Sequence, residues 1–116
     1  MKIAFTTQGT GWNSRMDPRF GRTAYFLIYD EATKNLECID NSDTGKEAHG
    51  AGPIAVQKIS ELNPDVLITG NGPGGNAARA LELMPVKIYI GAGEMTVGEA
   101  YNAFKDQSLE VFSADR

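Results

Sequence analysis

The residues with the clearest capacity for chemistry lie in a glycine-dense turn between a strand-like run at 65–69 and an alanine-rich helical pattern. In such a strand–loop–helix unit the first helical amides lack backbone partners and the peptide dipoles add at that end, so anions are attracted. The turn matches neither G-x-G-x-x-G nor a Walker A motif. It therefore predicts either an anion or cluster site or a plain turn whose glycines serve backbone geometry. The candidate binding residues are Gly70, Asn71, Gly72, Gly74 and Gly75.

A second glycine turn, Gly91-Ala92-Gly93, follows another strand-like run at 86–90. Strand–helix–strand units have right-handed crossovers, which make their strands parallel. If the first strand of the chain lies beside the run at 65–69, both turns meet at the carboxyl ends of neighbouring strands. Ligands usually bind at such an edge in open α/β sheets. We therefore expect Gly91 and Gly93 to share one site with the first turn.

Two side chains could supply metal ligands. His49 lies in a loop with Gly50 and Gly52, where its imidazole is either a metal ligand near neutral pH or a solvated side chain. Cys38 lies in a strand-like run, and its thiolate would suit iron or copper. Alternatively, strand alternation hides Cys38 as a small hydrophobic residue.

Three arginines crowd one non-periodic loop together with an aspartate and a proline that restricts the backbone. Arg19 and Arg22 could clamp an anion through their planar, forked donors. The other interpretation is structural, with Asp17 pairing with one arginine to fix the loop. The sequence leaves both open.

Composition limits the classes of protein to consider. The chain has 116 residues and a net charge of −4 without a lysine- or arginine-dense tract, so we expect one domain, 1–116, that binds no nucleic acid. A single cysteine excludes an internal disulfide. No apolar run approaches the roughly 18 residues of a membrane span, and the N-terminus is strand-like, which together predict a cytoplasmic protein without membrane contact.

Hydrophobic periodicity predicts an α/β fold. Strands at 2–7, 22–30 and 36–41 suit an antiparallel meander, and the second half alternates helix and strand in parallel βαβ units. Residues 109–112 could add a short edge strand. We therefore expect a mixed, roughly five-stranded sheet with three helices. Thr96 and Glu99 have the spacing of a capping box at the start of the third helix.

The sequence resembles the dinitrogenase iron–molybdenum cofactor biosynthesis family, the NifX-type domain that is also similar to the C-terminal part of NifB. The resemblance covers nearly the whole chain, and its most specific piece is the block Asp-x-Arg-Phe-Gly-Arg. It implies a ribonuclease-H-like α/β layer and a role in binding or carrying iron–sulfur and molybdenum–iron precursor clusters. The stretches that carry it are Met1 to Phe5, Asp17 to Phe26, His49 to Gly52, Pro64 to Gly70 and Thr96 to Ala100.

Two functions follow as hypotheses. The first is a binding or carrier module for an anionic iron–sulfur or molybdenum-containing cluster, with Arg19 as counter-charge, His49 as ligand and cluster-assembly proteins as partners. The second is a protein or enzyme that binds a phosphate or nucleotide at the turn from Gly70 to Gly75. The residues contain no serine elbow and give the lone cysteine and histidine no evident reason to be adjacent, which favours a binding protein over an enzyme.

Overall fold

The computed structural model describes residues 1–41, 51–73 and 75–112. Within them, six strands form one sheet in the order β3-β2-β1-β4-β5-β6. The strands are β1 (Lys2–Thr7), β2 (Tyr25–Asp30), β3 (Asn35–Asp40), β4 (Val66–Ile68), β5 (Lys87–Ile90) and β6 (Glu110–Val111). The helices are α1 (Ala51–Leu62), α2 (Gly75–Glu82) and α3 (Val97–Lys105).

The predicted mixed sheet is confirmed. β1, β2 and β3 form the antiparallel meander, and β4 lies parallel between β1 and β5. The edge strand β6 pairs antiparallel with β5 and brings the count to six strands, against the roughly five expected. The first strand therefore lies beside β4, as expected, and the parallel pairing of β4 with β5 brings together the strand ends that the two glycine turns follow.

The second strand begins at Tyr25 and not at Arg22, because side chains hold the preceding residues as a loop. The buried Asn41 donates from Nδ2 to the carbonyl oxygens of Gly21 (3.1 Å) and Thr23 (2.9 Å). Thr23 Oγ1 in turn lies 3.1 Å from the carbonyl oxygen of Thr7. These bonds replace the ladder that an extended strand would need.

Alternating strand residues face two hydrophobic layers. On one face Ala4, Phe26 and Leu67 pack with Ile59 of α1 and Leu81 of α2. On the other face the core includes residues of β1, β2, β4 and α3, namely Phe5, Leu27, Ile68, Val97 and Ala100. Apolar burial of about 25 cal/mol per Å² on both faces is the main force that holds the sheet between its helices.

The start of α3 is fixed by local sequence, as predicted. Thr96 Oγ1 accepts a hydrogen bond from the Glu99 amide at 3.2 Å, and Glu99 Oε1 accepts one from the Thr96 amide at 2.8 Å. This capping box satisfies amides that would otherwise lack partners. It fixes where the helix begins, directly after the second glycine turn.

No helix in the described ranges is long and apolar enough to cross a membrane.

Candidate functional site

The two glycine turns meet at the carboxyl ends of β4 and β5, as expected from the parallel pairing. The Gly91 amide donates to the Gly70 carbonyl at 2.9 Å, and the Ala92 amide lies 3.4 Å from the Thr69 carbonyl. A surface cavity of about 440 Å³ lies at this junction. Its lining residues are Pro18, Gly70, Asn71, Gly91, Gly93 and Glu94.

Close packing explains why two of these positions are glycine. A Cβ on Gly70 would lie 2.5 Å from Pro18 Cα and 3.0 Å from Gly93 Cα. A Cβ on Gly93 would lie 3.3 Å from Pro18 Cβ. Pro18 therefore lies directly against both turns and forms one wall of the cavity. Glycine is needed at Gly70 and Gly93 for this close backbone contact, whether or not either residue also binds a ligand.

Gly91 is glycine for a different reason. Its φ is +97°, in the left-handed region that side chains disfavour, and a Cβ there would meet nothing within 4 Å. The backbone at Gly91 thus borders open space. It is the part of the second turn most accessible to a ligand.

Some of the amides expected to cradle an anion are already engaged within the protein. The Asn71 amide donates to the Pro18 carbonyl at 2.9 Å, and the Gly91 amide donates to Gly70. Among the described residues, the amides of Gly70, Gly93 and Glu94 have no backbone acceptor. These three are therefore the cavity amides that can donate to a guest.

The loop that carries Pro18 is anchored by a buried carboxylate. Asp17 is 1% exposed, and its Oδ1 accepts from the amide and the Nε of Arg19, both at 3.0 Å. Its Oδ2 lies 3.0 Å from Arg19 Nη2 and 3.4 Å from the Ala24 amide. The expectation that Asp17 pairs with an arginine to fix the loop is confirmed.

Arg19 is held by this pair but remains half in solvent, with its side chain 59% exposed. The hydrogen bond to Asp17, with a smaller Coulombic contribution, raises the pKa of Arg19 above its ordinary value although desolvation opposes the shift. Arg19 does not line the cavity, but it follows Pro18 directly. It can therefore act as counter-charge at the rim through the N–H donors that Asp17 leaves unused.

Sequence reasoning missed two charged residues at the site. Glu94 lines the cavity and brings a carboxylate to a wall otherwise made of neutral residues. The exposed Arg15 donates from Nη2 to the carbonyl oxygen of Glu94 at 3.3 Å. Glu94 follows Gly93 directly, so extending the second turn by one residue would have found it. Arg15 reaches the turn through a fold contact that no local pattern encodes.

Cys38 is exposed on the edge strand β3, so the idea that strand alternation hides it is wrong. It pairs in register with Leu27 on the α3 face, and its exposure shows that the α3 layer does not cover it at this edge. Partial desolvation and the nearby Asp40 raise the pKa of the Cys38 thiol. Three strand spacings, about 14 Å in all, separate β3 from β4, so the structure does not bring Cys38 to the cavity.

His49 and Gly74 lie outside the described residues, and Gly75 is the first residue of α2. Within the described ranges, no group of three or more histidine, cysteine, aspartate or glutamate side chains could hold a metal ion. Backbone amides and arginines, and not a preformed ligand cage, are what the described residues offer to a guest.

Comparison with known proteins identifies the family. A family model described as dinitrogenase iron-molybdenum cofactor matches residues 1–107. The search of curated proteins gave no match.

Solved structures agree with the family match. The apo form of the orange protein from Desulfovibrio gigas is 35% identical, with a TM-score of 0.90 over 97% of this chain and 92% of that one. A candidate NifB protein from Thermotoga, TM1290 of the DUF35 family, is also 35% identical, with a TM-score of 0.81 over 99% and 98%. PH0822 shares the fold at 20% identity, with a TM-score of 0.73 over 98% and 96%. The chain therefore belongs to the dinitrogenase iron-molybdenum cofactor family.

Proposed function

We propose that this protein is a binding or carrier module for an anionic metal–sulfur cluster, of the iron–sulfur or molybdenum–iron type. The observation that carries the proposal is the match of residues 1–107 to the cofactor family, with the glycine-walled cavity inside that range. The orange protein supports it, because its structure is of an apo form, a term that implies a form with a bound group. Cluster-assembly proteins of the cytoplasm are the partners that such a carrier would meet.

The cavity has the size and donors for such a guest. Its volume of about 440 Å³ falls within the ordinary range of small-molecule sites, roughly 300–1,000 Å³. The amides of Gly70, Gly93 and Glu94 would donate hydrogen bonds to cluster sulfides. Arg15 and Arg19 would offset negative charge at the rim. His49 would ligate a cluster metal. The Glu94 carboxylate would oppose an anion, so the arginines must outweigh it.

Anaerobic reconstitution with iron, sulfide and molybdate tests the proposal. We expect stoichiometric bound metal and a visible chromophore in the wild type. Asn71→Phe places an aromatic ring at the cavity and keeps the hydrogen bond from the backbone amide of this position to the Pro18 carbonyl. Because the ring would fill space that the cluster needs, bound metal should fall at least tenfold. Asn102→Phe, an exposed position on α3, is the matched control and should stay within twofold of wild type. A wild type that binds no metal would overturn the proposal.

The same preparation distinguishes phosphate or nucleotide binding. A ligand that binds only the folded state at a hundred times its Kd stabilises it by about 2.7 kcal/mol. We expect a thermal shift with cluster reagents and none with nucleotides, since the first glycine turn matches neither the G-x-G-x-x-G nor the Walker A motif. Stabilisation by nucleotides alone would assign the site to the second hypothesis. His49→Ala should lower bound metal if the histidine is a ligand.

A further inference from the structure

Phe112, directly after β6, places its ring against the first glycine turn. The position of a Cβ on Gly72 would lie 2.9 Å from both Cδ1 and Cε1 of Phe112 and 3.2 Å from Cγ2 of Ile90. Gly72 itself has a φ of +86°. The ring and Ile90 therefore enclose the backbone of Gly72, and no side chain fits at that position.

The ring is anchored independently of the turn. The Phe112 amide donates to the Ile88 carbonyl at 2.8 Å, which continues the pairing of β6 with β5. The half-buried ring also packs against the core layer under α1 and α2. Phe112 is thus a fixed support on which the Gly72 turn rests.

Phe112 and Ile90 both lie against Gly72, and Phe112 does not line the cavity. Gly72 follows Asn71, and Ile90 precedes Gly91, and both Asn71 and Gly91 are cavity residues. The hydrogen bond from the Gly91 amide to the Gly70 carbonyl, 2.9 Å long, joins the same two turns on the cavity side. The family match ends at residue 107, so it gives Phe112 no role.

We propose that Phe112 is a positioning residue for the cavity: its ring holds the two glycine turns at the spacing that the cluster needs. Phe112 does not line the cavity and acts through Gly72. The link to cluster affinity rests on the proposed function, whereas the positioning of the turns does not. Without the ring, the turn around Gly72 loses its packing support while the sheet remains.

Amide hydrogen exchange in the apo protein tests the positioning. The reporters are the Asn71 and Gly91 amides, which donate to Pro18 and Gly70, and the Phe5 amide of central β1 is the reference. In Phe112→Ala we expect exchange at both reporters to rise at least tenfold relative to Phe5. Phe112→Leu, which keeps apolar bulk, should recover most of the protection, and Val111→Ala, the exposed neighbour on β6, should change it less than twofold.

Three other outcomes would each overturn one part of the proposal. Equal acceleration at Asn71, Gly91 and Phe5 would show a general core role and overturn the positioning. In the reconstitution assay, Phe112→Ala should bind at least fivefold less metal than Phe112→Leu. Unchanged metal binding with loosened turns would overturn the link to affinity. A wild type that binds no metal would overturn the proposed function, and the exchange result would still decide the positioning.

Discussion

Thr6 Oγ1 lies 2.8 Å from Thr69 Oγ1 and the same distance from the carbonyl oxygen of Asp17. A hydroxyl has one proton, so Thr6 donates to the carbonyl and accepts from Thr69. The three groups are buried, and they tie the carboxyl ends of β1 and β4 to the loop that walls the cavity. The site is thereby attached to the centre of the sheet.

This direction of donation predicts unequal costs for two similar substitutions. Thr6→Val leaves the buried Asp17 carbonyl without that donor and should lower the free energy of unfolding by about 1–3 kcal/mol. Thr69→Val leaves Thr6 bonded to Asp17 and should cost about 0.5–1.5 kcal/mol. Urea denaturation measures both, with the exposed Thr10→Val as control. A larger loss for Thr69→Val than for Thr6→Val would contradict this assignment of the hydrogen bonds.

The fork between Arg19 and Asp17 should resist replacement by a simple cation. Arg19→Ala removes two donors from a buried carboxylate that keeps two backbone amides, and we expect a loss of stability of about 1–3 kcal/mol. Arg19→Lys should restore less than half, because an ammonium cannot donate in parallel to both carboxylate oxygens. Chemical denaturation of the three proteins checks this. Full recovery with lysine would show that charge alone matters.

Glu31, in the turn after β2, bonds to two side chains of α3, and the stability that these bonds contribute changes at both low and high pH. Tyr101 donates to Glu31 Oε2 at 2.6 Å, and Lys105 Nζ lies 2.9 Å from the same oxygen. The bond from Tyr101, then that from Lys105, lowers the pKa of Glu31 below its ordinary 4.5. The bond to Glu31 raises the pKa of Tyr101 from 10.0 to about 12.

The directions of these two pKa shifts define the pH range over which the bonds contribute to the stability of the fold. Glu31 contributes stability above pH 4.5, lost as pH falls through its lower folded pKa. Tyr101 contributes below pH 10, and the contribution is lost as pH rises through about 12. The stability difference between wild type and Tyr101→Phe should therefore be flat between these limits and shrink beyond both. A difference that is the same at pH 3 as at pH 7 would contradict the assignment.

Glu94 should weaken binding of an anionic guest. Two unit charges about 4 Å apart in water interact by roughly 1 kcal/mol, so Glu94→Gln should tighten cluster binding by up to about fivefold at low salt. The gain should fade as salt rises, because screening removes it. Glu61→Gln, exposed on α1, is the matched control and should have no effect. Weaker binding in Glu94→Gln would instead indicate that the carboxylate ligates a metal.

Patterns among residues close in sequence predicted the helices, strands and turns well, whereas contacts between distant parts of the chain determine the geometry of the site. The capping box of Thr96 and Glu99 and the two glycine turns are readable because each depends on neighbours in sequence. The contact of Pro18 with Gly70 joins distant parts of the chain, so the engagement of the Asn71 amide was not predictable. Strand alternation buries a side chain only where a helix layer covers the sheet, and on the edge strand β3 that cover reaches Leu36 but not Cys38.

The central claim is that an anionic cluster binds where the two glycine turns meet, and amide NMR of the nitrogen-labelled protein tests it most directly. On titration with the reconstituted cluster, the amide signals of Gly70, Gly91, Gly93 and Glu94 should shift or broaden first and saturably. Signals of β3 around Cys38 should stay unchanged until those of the cavity saturate. First changes at β3 with a silent cavity would contradict the account.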